Sequence, residues 1–480
     1  MHDQDALKQM ENEEERYKYF HRPEPRQAEG PVEIDDKTGF RYQFWDIGMV
    51  RNASVRHKTK VFLDPIPHII IDNAKPLQGW YKAKDEPEGV RARPCMTDSI
   101  LTEPYGGTCP VACPFCYINA GQRGYRAQGL TTVPLNYGEQ VTRQLKKMRT
   151  SAAGYICSFI DPFLPLEKVY GNTRGCAEAF EREGLPVYFL SRLQYPDWAF
   201  DLLKRNKYNY AQMSINTSSA EQWKRLSPWA IPLDQIFDQV SELHRNKIYI
   251  SIQVNPIIAG VTTNDEIVKL IHILAERGAD HLIFKFVETA YSYKAALIDQ
   301  MTKRFGAERG GKFGSLMKCN IGSQATIDEE YRIDALNRFK KECKKQGVTM
   351  GVCYEYKFER DEEGKIKNHT GISMGRDYLT AEQCHGHRVP MFTRITPTSK
   401  FTEVEECPPS GCLYCADDNK GEPACGNDIF GAAGALRNMD YRVPVYENPT
   451  PEQLANAIPR FPREKQGLIQ IAGAPSTNRQ

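Results

Sequence analysis

Residues 98–119 read DSILTEPYGGTCPVACPFCYIN. A short apolar run, DSILTE, reads as a strand, and it leads into Cys109, Cys113 and Cys116, with Tyr117 directly after them. Thiolate is a soft ligand suited to zinc or to an iron–sulfur cluster, and a cubane cluster has four irons to be held. Three cysteines on one short loop hold three irons and leave the fourth open for chemistry. The alternatives are a zinc knuckle that borrows a fourth ligand, or thiols buried as small hydrophobes; zinc sites usually build from C-x2-C pairs.

Outward from that loop the pattern is regular. Apolar runs at 154–160 (GYICSFI), 186–191 (PVYFLS), 209–215 (NYAQMSI), 248–254 (IYISIQV) and 281–287 (HLIFKFV) alternate with helical segments. In NDEIVKLIHILAERG, Ile267, Leu270, Ile271 and Leu274 repeat at helical spacing, with Asn264 as N-cap and Gly278 as stop. Ile236, Phe237, Val240 and Leu243 make a second stripe of the same kind. Continuous apolar strands, each followed by an amphipathic helix, predict an α/β fold with a parallel sheet and crossover helices. Counting DSILTE first gives about six strands, hence a partial barrel or open sheet with its site at the carboxyl ends of the strands.

The chain has 480 residues, enough for one large domain with additions. Lys and Arg total 63 against 61 Asp and Glu, so no overall field announces a nucleic acid or a membrane as partner. There is no signal-peptide pattern and no apolar run of about 18 residues, so the chain reads as soluble and cytoplasmic. Fourteen cysteines in that setting point to metal or chemistry rather than disulfides. The expected organisation is a polar arm over 1–40, a cap with short strands over 41–97, the barrel over 98–290, and a Cys-rich extension over 291–480. That extension includes a candidate extra strand, VTMGVCYEY.

The C-x3-C-x2-C spacing followed by an aromatic residue resembles the signature of the radical S-adenosylmethionine (SAM) enzymes. The later strand ends SFIDPFLPLE (158–167), LSR (190–192), SINT (214–217) and VNPIIAGVTTND (254–265) are similar in order and wording to the spore photoproduct lyase-like branch. The resemblance covers about residues 98–290 and implies a partial (β/α)6 TIM-type barrel. By position it makes Cys109, Cys113 and Cys116 the [4Fe–4S] ligands and Tyr117 a neighbour of the adenine. It places Ser158 and Asp161 near SAM, Arg192 where that branch has a basic residue, and Ser214 with Asn216 on the polar groups of SAM. It also implies reductive cleavage of SAM to a 5′-deoxyadenosyl radical, a flavodoxin- or ferredoxin-type reductant, and a nucleoside, nucleotide or nucleic-acid substrate. Lyases that split thymine dimers carry a hydrogen-donating cysteine at the position of Ser158. Cys157 is one residue early, and strand alternation aims it outward, which argues against dimer splitting.

Cys407, Cys412, Cys415 and Cys425, with Cys384 upstream, suffice for an auxiliary [4Fe–4S] cluster or a zinc site. An auxiliary cluster would suit sulfur insertion or peptide modification. A metal-stabilised binding or electron-transfer protein is the reading from outside the enzymes. Cys353 and Tyr354, at the end of the extra strand, are candidate hydrogen-atom donors to a substrate radical.

Overall fold

The computed structural model describes residues 28–46, 58–72, 76–78, 99–118, 124–126, 129–148, 150–321, 324–363, 366–381, 383–390, 392–394, 396, 398–403 and 450. Seven strands lie side by side in chain order in one sheet: β1 (Ser99–Thr102), β2 (Ala153–Ile156), β3 (Val187–Ser191), β4 (Tyr210–Ser214), β5 (Tyr249–Ile257), β6 (His281–Phe286) and β7 (Thr349–Val352). All six junctions are parallel. Leu77–Gln78 pairs antiparallel with β1, so it and β7 form the two edges of a partial barrel. Nearly every strand residue is buried, which is why the strands read as unbroken apolar runs.

The sheet does not stop near residue 290. Its seventh strand comes from VTMGV, delivered by the long helix Glu329–Gln346, so this part of the 291–480 region belongs to the barrel. The helix Asn264–Glu276 buries the expected Ile267, Leu270, Ile271 and Leu274. Its N-cap is Thr263 rather than Asn264. The Thr263 hydroxyl accepts from Glu266 N while the Glu266 carboxylate accepts from Thr263 N, a reciprocal pair that Asn264 cannot make from inside the helix. The second stripe is buried on the helix Leu233–Arg245.

A second sheet runs Ala28–Ile34, Arg41–Asp46, Lys58–Phe62, His68–Ile71, Thr131–Pro134, Gly106–Gly107. The strand Ala28–Ile34, inside the stretch read as an arm, is exposed along its whole length. The last two strands of this sheet flank the cysteine loop, so the loop grows from a fixed base. A side chain at Gly107 would collide with the Leu130 carbonyl, and the φ of 72° there also suits glycine.

Tyr155, Tyr188, Tyr210 and Tyr249 stand in register on β2 to β5, with Tyr210 and Tyr249 opening their strands. The first three stack at 4.6 and 4.3 Å. The segment 383–390 covers them: Tyr210 Oη lies 2.7 Å from His385 Nδ1, His387 stacks on Tyr249 at 4.5 Å, and His281 Nε2 meets the Cys384 carbonyl at 2.9 Å. Cys384 is therefore at the opposite end of the strands from the three-cysteine loop. Cys407, Cys412, Cys415 and Cys425 lie outside the described residues. Among the described residues, no helix is long and apolar enough to cross a membrane.

Candidate active site

A cavity of about 360 Å³ opens on the inner face of the barrel, a volume in the range of small-molecule sites. Cys109, Cys113 and Cys116 all line it, and none is in a disulfide. Burial pushes the Cys116 thiol up to about 11 and Cys109 higher still, so metal must offset the cost of ionising them. Backbone N–H groups of Asp161 and Val111 reach Cys109, and that of Ile118 reaches Cys116; each favours a charged sulfur. Among the described residues no three His, Cys, Asp or Glu side chains converge as one shared ion would require. Three soft donors spread around a cavity fit a cluster whose cysteines each hold a different iron.

Arg192 leaves the end of β3 and is buried. Its Nη2 donates to Ser214 Oγ at 2.8 Å and to the Asn255 carbonyl at 2.7 Å, and its Nη1 donates to Ser227 Oγ at 3.0 Å. The rings of Phe115 and Trp223 each lie 5.3 Å from the guanidinium carbon. The Ser227 hydroxyl in turn sits 3.6 Å from Cys113 Sγ. No carboxylate lies within ion-pair distance of this guanidinium among the described residues, so a buried positive charge faces the cavity one hydroxyl away from the cysteine loop. That is a place for an anionic group such as a carboxylate.

Asp161 also lines the cavity, but both of its oxygens are occupied. Oδ1 accepts from Phe163 N and Ser191 Oγ, and Oδ2 from Ser191 Oγ and Arg192 N. Burial raises its pKa to about 6, with those donors pulling the other way. Its work is to fix the turn that aims Arg192. Ser158 is held the same way: its N–H and hydroxyl, with the Phe159 N–H, donate to Glu103 Oε1 at 2.7, 3.1 and 3.0 Å. Desolvation pushes Glu103 up to about 8. Tyr117 is half exposed, edge-on to Phe159 at 6.2 Å, with its ring on the cavity wall.

Asn216 is not on that wall. It is fully buried behind the end of β4, where its amide donates to the Pro256 carbonyl at 3.3 Å. Cys157 is a core residue, 1% exposed, yet it also touches the cavity. Its φ of 68° breaks the strand alternation from which an outward direction follows. Cys353 lines the cavity from the end of β7, whereas the Tyr354 ring packs edge-on against Tyr356 at 5.0 Å and lies off the wall.

Several wall residues escape a reading of the strand ends. Arg126 closes the loop base through Nε to the Gly107 carbonyl at 2.7 Å and places its charge near Cys109 and Cys116. Lys285 and Glu288 form an ion pair at 2.6 Å on the wall beside Cys353. Lys285 sits inside the apolar run HLIFKFV, and that inward cation in a buried strand was the available signal.

A parallel-stranded partial barrel with three cysteines after its first strand defines a radical SAM enzyme, and the chain belongs to that family. It is 52% identical over 455 residues to the radical SAM Nα-GlyT isomerase of Pseudomonas phage M6, a match covering 92% of this chain and 94% of that protein. Searched against family models, the chain matches none. It is similar to a double mutant of spore photoproduct lyase with bound AdoMet and dinucleoside spore photoproduct, at a TM-score of 0.44 and 12% identity over 58% of this chain and 81% of that one. Streptococcus suis SuiB bound to S-adenosylmethionine gives a TM-score of 0.34 at 12% identity, covering 50% of this chain and 46% of that one. Membership of the family implies a [4Fe–4S] cluster and SAM as cofactors.

Proposed function

We propose that this protein isomerises an Nα-GlyT group, in a nucleoside, a nucleotide or a nucleic acid. The observation that carries this reading is the 52% identity to the phage isomerase across nearly the full length of both chains. It favours isomerisation over sulfur insertion or peptide modification. Read literally, the name describes a glycine joined through its α-nitrogen to T, which brings a secondary amine, a methylene and a carboxylate into the site.

Cys109, Cys113 and Cys116 hold the cluster, and Arg192, steered by Asp161, faces the carboxylate of SAM. Ser214 and Asn255 keep the guanidinium in place, and Tyr117 with Phe159 forms the aromatic edge for the adenine. When bound, the cluster and SAM supply a 5′-deoxyadenosyl radical for hydrogen abstraction. An external flavodoxin- or ferredoxin-type protein supplies the electron. An isomerisation returns as many hydrogens as it removes, and Cys353 is the wall thiol placed for that return, being more open than Cys157; a second electron from the same external reductant and a proton from solvent would restore its thiol.

The test is anaerobic incubation of reconstituted protein with SAM, a reductant and an Nα-GlyT nucleoside, followed by chromatography with mass detection. A product of unchanged mass and altered retention is expected. Formation of 5′-deoxyadenosine with the nucleoside recovered unaltered rejects this substrate.

A further inference from the structure

Lys285 is buried near the end of β6, and its ammonium is held at three points. Nζ donates to Glu288 Oε2 at 2.6 Å and to the Tyr354 carbonyl at 3.2 Å, and it stands 5.0 Å over the Tyr354 ring. Glu355 Oε1 is 3.9 Å away. Burial alone would push the pKa of Lys285 down; Glu288, Glu355 and Cys353 outweigh it and hold the group above its ordinary value.

The groups behind the pair are tied together. Glu355 is fully buried, accepts from Phe286 N at 2.8 Å, and is locked by Arg332 at 2.6 Å, with neither side chain exposed. Glu288 opens the strand Glu288–Ala290, which pairs with Gln324–Thr326. Arg332 and Glu355 therefore neutralise each other inside the protein, while Lys285 and Glu288 form a second neutral pair whose members both line the cavity. Burying charges is costly, and a buried ion pair that lines a cavity is a candidate for contact with a ligand.

The charges around the cavity sort by role. Asp161 has no oxygen to spare, and the Arg192 guanidinium, with no carboxylate within ion-pair distance among the described residues, is suited to one carboxylate. The pair at Lys285 and Glu288 differs from both. It adds no net charge and so gives no attraction to a phosphate, but it matches a group that is itself a zwitterion. Lys285 has a third ammonium proton beyond its two hydrogen bonds, and Glu288 engages Lys285 through one of its two oxygens. We infer that Lys285 and Glu288 together recognise the amino-acid end of the substrate, Lys285 taking its carboxylate and Glu288 its protonated amine. This rests on the Nα-GlyT reading and names the part of the site that reads glycine. It also sets the methylene between amine and carboxylate beside Cys353, on the same wall.

The test is a thermodynamic cycle on the reconstituted holoenzyme with SAM, using the Nα-GlyT nucleoside and an analogue in which a methylamine replaces the glycine and removes the carboxylate. Wild type is expected to bind the glycine form at least tenfold more tightly than the analogue. The variant K285M/E288Q, which removes both charges together and so leaves none unpaired, is expected to bind the two with equal affinity. Iron content and melting temperature establish that this variant is folded and loaded, and K285R provides a charge-conserving variant expected to keep part of the preference. If wild type converts the nucleoside and K285M/E288Q still prefers the carboxylate tenfold, the recognition role is wrong. If wild type neither binds nor converts the nucleoside, the substrate reading is wrong, and the same proteins then test other amino-acid-bearing nucleosides for the preference. Loss of discrimination confined to K285M/E288Q supports the inference.

Discussion

Arg192 and Ser214 are joined by a 2.8 Å hydrogen bond from Nη2 to Oγ, which ties the end of β3 to the end of β4 one hydroxyl away from Cys113. The Phe115 and Trp223 rings also lie 5.3 Å from the guanidinium carbon, so packing and hydrogen bonds together hold its position. Arg192→Ala is expected to weaken SAM binding by a factor of ten or more, about 1.4 kcal/mol at least, with iron content unchanged. Arg192→Lys should recover little, because an ammonium cannot serve three acceptors in the fork geometry. Ser214→Ala removes one of those acceptors and should cost a smaller factor. Equilibrium binding of SAM to the three reconstituted variants checks the order.

Replacing Cys109, Cys113 and Cys116 together by alanine should abolish formation of 5′-deoxyadenosine and lower the iron content by about four per chain. Iron and sulfide assays beside wild type give the number. Iron left behind in matching amount with sulfide would assign a second cluster to the remaining cysteines, because no other three-thiol loop is described.

Much of this was readable because buried parallel strands leave continuous apolar runs, and because three clustered thiols admit few uses. What escaped has identifiable causes. The seventh strand arrives after three helices and a small sheet, so the regular spacing is lost before VTMGV returns to the barrel. The resemblance puts Asn216 on SAM, whereas the fold buries its side chain behind the end of β4, off the cavity wall. Cys157 was aimed by alternation, which a left-handed residue breaks. The pair Lys285 and Glu288 is local in sequence, yet its meaning comes from Glu355 and Arg332, which only the fold brings beside it.

Cys353 and Tyr354 are neighbours in sequence, but only Cys353 lines the cavity. In deuterated buffer its thiol exchanges, so product made by wild type should carry one deuterium. Cys353→Ala should form 5′-deoxyadenosine but lose that label and most of the product. Tyr354→Phe and Cys157→Ala should retain the label. Mass spectrometry of the product separates these outcomes, and an unlabelled wild-type product would assign the hydrogen return to another group.

Glu355 and Arg332 form an ion pair at 2.6 Å with neither side chain exposed. Removing one partner leaves a buried charge uncompensated, so Glu355→Gln should destabilise the protein by about 3–5 kcal/mol. It also takes a charge from beside Lys285. Denaturant unfolding of wild type and variant measures the loss, and a change below 1 kcal/mol would mean that the pair is solvated or replaceable.

His281 lies at the start of β6, with Nδ1 2.8 Å from Thr349 Oγ1 and Nε2 2.9 Å from the Cys384 carbonyl. Burial lowers its pKa to about 3 and that of His385 to about 4. Both groups remain neutral in the folded protein, while the unfolded chain takes up their protons below about pH 6.5. Their contribution to stability is therefore full above pH 6.5 and is lost as the pH falls toward 4 and then 3. Within that window each histidine adds a slope approaching about 1.4 kcal/mol per pH unit. His281→Gln should be less stable at neutral pH, since the amide cannot span both partners, but its stability should fall less steeply with acid. Unfolding free energies between pH 7 and pH 4 test this, and equal slopes in variant and wild type would show that the native state protonates His281 as readily as the unfolded chain does.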